Sequence, residues 1–166
     1  MEALNNFRFV FGNFDSFWSH PSYEVTRKPE QPEFFSFVQS EILFLGVHIV
    51  GGDRFTVNSN EKEGWRDHIR RSIDWVRNET THRNGTFEFI VIFGNSRQTF
   101  DNDLFFDELR DLSKELEQHL LYVFDGANES LMRRQDYYWT LEIEGDKIPF
   151  ANVRVHAFNC SDSCYK

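Results

Sequence analysis

The sequence predicts an α/β protein with a layered, mixed β-sheet and flanking helices, because strand-like apolar runs alternate with segments of helical periodicity. Residues 41–50 and 87–93 are apolar runs rich in β-branched and aromatic side chains, which is typical of buried strands. Residues 61–77 and 102–119 place apolar side chains at helical spacing. The chain is long enough for a sizeable core, and we expect residues 1–166 to form one domain.

An N-terminal segment, residues 1–33, precedes this alternation and differs from it in composition. Aromatic and apolar side chains fall at steps of three or four in residues 1–20, which predicts an amphipathic helix. Residues 21–33 hold three of the four prolines, so we expect an extended surface segment there. Residues 34–38 are predicted to form a short strand.

The later part of the chain is predicted to continue the sheet. A loop with turn-forming residues is expected at 78–86, and Asp101 or Asn102 can cap the second helix. Residues 120–124 form the next predicted strand, and a polar link follows it.

Two alternating segments close the predicted sheet. Residues 137–143 and 152–158 both alternate between apolar and polar side chains. They are separated by a glycine-containing and proline-containing turn, which predicts an antiparallel hairpin.

Charge and hydropathy exclude two classes of partner. The formal net charge is −9, whereas nucleic-acid binding requires a basic face, so we expect that the chain does not bind nucleic acid. No apolar run approaches the roughly 20 residues that a membrane span needs. The first five residues also lack the basic and apolar regions of a secretory signal peptide.

Sequons and cysteines nevertheless indicate a secreted or lumenal protein. Four Asn-x-Ser/Thr sequons are candidates for glycosylation, at Asn78, Asn84, Asn128 and Asn159. Cys160 and Cys164 are the only cysteines, and they can close a small disulfide loop in an oxidising compartment or remain two free thiols. Metal binding by this pair alone is disfavoured, because a structural zinc site takes four ligands.

Two predicted strands end in similar turns, each with a glycine and an asparagine. The first turn is Gly94-Asn95, and the second contains Asp125, Gly126 and Asn128. Open α/β sheets bind their ligands at the carboxyl ends of strands. These five residues therefore mark the place where a site is expected.

Four segments of the sequence together carry a family resemblance. They are residues 24–33, residues 42–52, the tryptophan-bearing helix 65–77 and the strand end 91–94. In this order they resemble the C-terminal half of the calcineurin-like metallophosphoesterases, and most closely a secreted-type subgroup. The resemblance runs from about residue 5 to residue 158 and covers only part of the family's domain.

The resemblance implies what a working site would contain. In the family, two metal ions clamp a phosphate ester while a bridging hydroxide attacks it. The early ligand motifs of the family have no match here, and we expect that the chain begins after the point where they would lie. The late block should place histidines in the two turns, but the first reads Gly94-Asn95 and the second, residues 124–130, contains no histidine.

The turn residues are therefore interpreted as vestigial positions of a metal site. An asparagine carbonyl is a weak ligand for a transition metal compared with imidazole. We expect no catalytic residue, no bound cofactor and no phosphoesterase activity in this chain. His48 is expected to be a hydrogen-bonded residue inside a strand and not a ligand.

Two functional hypotheses remain open from the sequence. The first is a degenerate phosphoesterase-like protein that acts as a binding or structural subunit. The alternative is a fragment of a dinuclear-metal phosphoesterase whose N-terminal, metal-binding half is missing. Half of a two-sheet sandwich would expose an apolar face, so we expect poor solubility of the lone chain, a homodimer or a protein partner that covers the face. If the chain is an interaction subunit, residues 1–20 are expected to pack on that partner.

Overall fold

The computed structural model describes residues 24–49, 59–99, 102–126, 131–135 and 137–144. Within them, seven strands form one sheet and two helices pack against it. The strands are β1 (Thr26–Lys28), β2 (Gln31–Gln39), β3 (Ile42–Gly46), β4 (Phe89–Gly94), β5 (His119–Gly126), β6 (Leu131–Gln135) and β7 (Tyr138–Glu144). The helices are α1 (Ser59–His82) and α2 (Asp103–Glu115).

The sheet is mixed, with a parallel centre and antiparallel edges. Its strand order is β1-β2-β3-β4-β5-β7-β6. Strands β3, β4, β5 and β7 run parallel, whereas β1, β2 and β3 form an antiparallel set and β6 pairs antiparallel with β7. Each of the two parallel steps from β3 to β5 contains a helix, as a parallel crossover requires. The predicted fold class, an α/β protein with a mixed sheet and flanking helices, is confirmed.

The main core lies between the sheet and the two helices. Leu43, Leu45, Ile90, Ile92 and Leu120 project from the central strands into it and are almost fully buried. The helices contribute a further set of buried side chains, namely Ile69, Trp75, Val76, Phe105, Phe106, Leu109 and Leu112. Burial of this apolar area is the dominant stabilising term for such a domain.

The other face of the sheet carries an apolar row and no described helix. Strand register places the members of this row side by side, namely Phe37, Phe44, Val91, Leu121 and Trp139. The rings of Phe37 and Phe44 stack with their centroids 4.8 Å apart. We call this surface the helix-free face.

Helices α1 and α2 are joined by a branched ion pair. The Arg77 guanidinium on α1 donates to the carboxylates of Glu108 and Glu115 on α2, at 2.8 and 2.9 Å. These hydrogen bonds raise the pKa of Arg77. The partners are about one third or more exposed, so the pair orients the helices more than it stabilises them.

The predicted surface segment at 21–33 is instead part of the sheet where the structure describes it. Residues 26–28 form β1, and β2 begins at Gln31, which is buried. Pro32 is tolerated inside a strand because the register between β1 and β2 shifts at this point, which indicates a bulge that needs no ladder hydrogen bond from residue 32.

Helix boundaries also differ from the prediction. Helix α1 continues to His82, so the predicted loop at 78–86 begins five residues too early. Glu79 and Thr80 are buried there, and tertiary contacts stabilise a turn of helix that the local sequence disfavours. Helix α2 ends at Glu115, and His119, predicted as its last residue, is the first residue of β5.

The predicted hairpin of residues 137–143 and 152–158 is wrong in its pairing. Strand β6 occupies part of the predicted polar link, and it pairs with one edge of β7. Strand β5 pairs with the other edge. Both edges of β7 are therefore occupied by strands that the alternating pattern did not identify as its neighbours.

Some predictions fall on parts of the chain that the structure does not describe. They are the helix at 1–20, the second hairpin strand at 152–158, the cysteine pair Cys160 and Cys164, and the sequons at Asn128 and Asn159. Within the described segments, neither helix has the apolar length required to cross a membrane.

Candidate functional site

The two glycine-containing turns begin at neighbouring strand ends. Strands β4 and β5 are parallel, and their register places Gly94 beside Phe124. Asn95 and Asp125 therefore follow paired positions at one edge of the sheet. We call this region, formed by the residues that follow β3 and β4 and by the side chains that contact them, the carboxyl edge. Asn128, the last member of the predicted set, lies outside the described residues.

Asn95 forms a hydrogen bond to the backbone of the neighbouring chain segment. Its side-chain oxygen accepts from the Ile49 N–H, with the two atoms 2.7 Å apart. The Val47 N–H donates to the Phe93 carbonyl at 2.9 Å just before this point. Together these bonds hold the segment after β3 alongside the end of β4, where the regular strand pairing has stopped. The side-chain oxygen of Asn95 is thus used to satisfy a backbone donor.

Gly94 is required by the packing of Tyr122. A Cβ atom at residue 94 would lie 2.0 Å from the Tyr122 hydroxyl oxygen. That hydroxyl donates to the Ser96 carbonyl at 2.8 Å. Burial raises the pKa of Tyr122, so the phenol stays protonated and remains a donor. The glycine gives the tyrosine room to reach the turn after β4.

Asn102 organises the rest of the turn after β4. It is fully buried, and its side-chain oxygen accepts from the Thr99 N–H at 2.7 Å. Its amide nitrogen donates to the Ser96 hydroxyl at 3.2 Å and to the Arg97 carbonyl at 3.0 Å. Asn102 was predicted as a helix cap; it does occupy the position before α2, but its side chain makes no cap hydrogen bond. Instead it holds the loop that precedes the helix.

Two histidines meet at the same edge. His48 was predicted to lie inside a strand, but it follows the end of β3 and is half-buried. The Nε2 atom of His68, on α1, is 2.6 Å from the His48 carbonyl oxygen, so the contact places the proton on Nε2. Burial lowers the pKa of His68, the hydrogen bond to the His48 carbonyl opposes that shift, and the neighbouring His48 ring and Arg71 lower the pKa further. His68 is therefore a neutral imidazole near pH 7.

The described residues do not fit the metal pair that the family resemblance implies. Within the described ranges, no group of three or more His, Cys, Asp or Glu side chains is placed to hold a metal ion. The Asn95 side-chain oxygen accepts from Ile49, and Nε2 of His68 is bound to the His48 carbonyl. These two potential ligand atoms are occupied by backbone groups of the same chain.

A second polar cluster lies under the end of α1, next to the hairpin of β1 and β2. The buried Glu79 carboxylate accepts from the Ser36 hydroxyl and, at 3.1 Å, from Arg83. Arg83 also donates to the hydroxyls of Thr26 and Ser36, at 2.7 and 3.2 Å. We call these four residues the Glu79 cluster. It was not predicted from the sequence, although the spacing of Glu79 and Arg83, four residues apart, is the usual helical ion-pair signal.

The two sequons that the structure describes lie in different environments. Asn78 is an exposed residue of α1, but Thr80 of the same sequon is 1% exposed. Asn84 and Thr86 are both exposed and lie in the turn after α1.

Comparisons with known proteins assign no family. No family model matches the chain, and no curated protein matches it. Among solved structures, one similar chain is "GAP50 the anchor in the inner membrane complex of Plasmodium". The two chains are 14% identical with a TM-score of 0.44, and the match covers 83% of this chain and 44% of that chain. This chain thus spans less than half the length of that solved structure.

Proposed function

We propose that this chain is a degenerate metallophosphoesterase-like protein that acts as a binding or structural subunit and does not hydrolyse phosphate esters. The observation that carries the proposal is the bond from the Ile49 N–H to the Asn95 side-chain oxygen. The resemblance places a histidine ligand where Asn95 stands. Here the residue satisfies a backbone donor instead.

The rest of the carboxyl edge supports the same proposal. A catalytic or metal-binding edge needs polar atoms with free bonding capacity directed toward a substrate. Here the Tyr122 hydroxyl and the Asn102 amide bond to the turn after β4, at Ser96, Arg97 and Thr99. These two side chains therefore stabilise a loop.

The binding role is assigned to the exposed part of the helix-free face, since Val91 and Leu121 at its centre are buried. Phe93 projects from β4 on this face, and 41% of it is exposed. Tyr137, which precedes β7 and contacts His119 on the same face, is 40% exposed. Large exposed apolar side chains on one surface favour contact with another protein. The proposed occupant is a protein partner or a second copy of this chain.

The first test measures metal content and hydrolysis together. The purified full chain is incubated with Mn²⁺ or Zn²⁺, and bound metal and cleavage of p-nitrophenyl phosphate are measured. We expect no stoichiometric metal pair and no hydrolysis above the metal-only control. Two bound metals per chain with metal-dependent turnover would instead support an active dinuclear phosphoesterase.

The alternative, a fragment of a longer phosphoesterase, is tested by the intact mass of the protein from its natural source. The 166 residues amount to 19.8 kDa. A deglycosylated mass near this value supports the subunit proposal. A mass about twice as large would favour the fragment, because the missing N-terminal half would then be part of the protein.

The binding role is tested by sedimentation of the full chain. We expect a homodimer or a co-purifying protein, and we expect Phe93→Ser to weaken that association. Leu104→Ser is the matched control, because Leu104 is 49% exposed but lies on α2, away from the helix-free face. A monodisperse monomer with no partner, or equal effects of both substitutions, would contradict the proposed binding surface.

A further inference from the structure

The two described sequons differ in what the folded chain presents to a modifying enzyme. N-glycosylation needs an accessible asparagine amide and an accessible Ser or Thr hydroxyl two residues later. Asn84 and Thr86 are exposed, and they flank Gly85 in the turn between α1 and β4. Gly85 has a φ of +82°, and a Cβ built on it would meet no atom of the described residues within 4 Å. The turn therefore stands clear of the other residues that the structure describes.

The turn at Asn84 is held by local bonds that an enzyme can replace. The Thr86 N–H and hydroxyl both interact with the Arg83 carbonyl, at 3.0 and 2.6 Å. The Asn84 N–H donates to the Thr81 carbonyl at 3.3 Å. All of these bonds lie within the turn and the last residues of α1, so rearranging them leaves the sheet and the core unchanged.

The sequon at Asn78 lies within α1 and is tied to the core. Thr80 is buried, and its hydroxyl is 2.9 Å from the Val76 carbonyl. The middle residue of the sequon, Glu79, is buried in its bonds to Ser36 and Arg83. To bind residues 78–80 in an extended conformation, an enzyme would have to unfold the end of α1 and break the hydrogen bonds of the Glu79 cluster.

We propose that the folded chain presents Asn84 as an N-glycan acceptor and withholds Asn78. The donor is a lipid-diphosphate-linked oligosaccharide. The Asn84 Nδ2 forms a bond to C1 of the first sugar, the bond from C1 to the diphosphate oxygen breaks, and the lipid diphosphate leaves with that electron pair while Nδ2 loses a proton to the enzyme's base. The glycan would lie before the amino end of β4. The strand's six residues, about 20 Å of extended chain, separate it from the carboxyl edge.

The test is transfer to the folded, purified full chain by an oligosaccharyltransferase supplied with a lipid-linked oligosaccharide. Arg83 lies between the two sequons, so trypsin separates them into peptides 78–83 and 84–97. We expect glycan occupancy of Asn84 to exceed that of Asn78 by at least about tenfold. The end of α1 must unfold before Asn78 can react, and an unfolding cost of only about 1.4 kcal/mol lowers the population of the unfolded form tenfold.

Three variants make the result specific. Asn84→Gln and Thr86→Ala should each abolish transfer to peptide 84–97. Asn78→Gln should leave that transfer unchanged. Mapping the occupied sites of the protein from its natural source, by enzymatic deglycosylation in heavy-oxygen water, should label residue 84 and not residue 78. Transfer to Asn78 of the folded chain, or no transfer to Asn84, would overturn the proposal.

Discussion

The Glu79 cluster and the carboxyl edge are both polar regions against the same core, but they are built from different chemistry. The Glu79 cluster joins a buried carboxylate to the Arg83 guanidinium and two hydroxyls. The carboxyl edge joins neutral amides, a phenol and an imidazole to backbone groups. A buried charge is tolerated only when an opposite charge and hydrogen bonds compensate it, whereas neutral groups need hydrogen bonds alone.

The difference between these regions shows that polarity at a strand end is not by itself a functional signal. The carboxyl edge has the location at which α/β sheets bind ligands, yet Asn95 and Asn102 accept hydrogen bonds from backbone N–H groups there. The Glu79 cluster has the charged groups that chemistry would need, yet it is closed beneath α1 and its members bond to one another. The carboxyl edge thus has the location of a functional site without the charged groups, and the Glu79 cluster has the charged groups without the accessible location.

Removing the buried carboxylate should have the largest effect. Glu79→Ala leaves Arg83 without its partner in a region where its side chain is only 23% exposed. We expect the free energy of unfolding to fall by about 3 kcal/mol, as for one partner of a buried ion pair. Urea denaturation of both proteins measures it. Glu108→Ala removes a more exposed partner of Arg77 and should cost less than about 1 kcal/mol. Equal losses would show that the Glu79 cluster behaves as a surface pair.

At the carboxyl edge, Gly94→Ala should be the next most damaging change. The added methyl group would overlap the Tyr122 hydroxyl and displace it from the Ser96 carbonyl. We expect a loss of about 2 kcal/mol, typical of overpacking a buried site. Gly64→Ala is the control, because none of the described residues lies within 4 Å of a Cβ at this position on α1, and it should stabilise the helix by about 0.5–1 kcal/mol. A neutral Gly94→Ala would mean that Tyr122 does not need the glycine.

The central elements were predictable because each is specified by its own sequence. Strands β3 and β4 and helix α2 were recognised from apolar runs or from helical periodicity, and their ends were misplaced by only a few residues. Strand β6 was not recognised. Its sequence, Leu-Met-Arg-Arg-Gln, shows neither alternation nor β-branched residues, and only its pairing with β7 makes it a strand.

The carboxyl edge was predictable in place but not in role. The strand-end rule located Gly94 and Asn95 correctly at the end of β4. The rule could not show that a side chain at residue 94 would overlap Tyr122, since these two residues meet only when β4 and β5 pair. The end of α1 was predicted too early for a related reason. Asn84-Gly85 gives a strong turn signal in the local sequence, whereas Glu79 is buried against Ser36 of β2, which is 43 residues away in sequence.

The smallest expected effect is a pH dependence of stability that comes from His68 at the carboxyl edge. The pKa of His68 is lowered from its ordinary value near 6.5, mainly by burial; the hydrogen bond to the His48 carbonyl opposes this, whereas the nearby His48 ring and Arg71 add to it. Below pH 6.5 the unfolded chain therefore binds a proton that the folded chain resists, so stability falls as the pH drops from 6.5 to the folded pKa and the penalty is constant below it. His68→Gln keeps a donor near the His48 carbonyl but removes this titration, so its unfolding free energy should depend less on pH between about 7.5 and about 5 than that of the wild type. Ser72→Ala removes a hydroxyl that bonds to the His68 carbonyl and should retain the wild-type pH dependence. If His68→Gln and the wild type lose stability in parallel, the acid sensitivity of the chain lies outside the carboxyl edge.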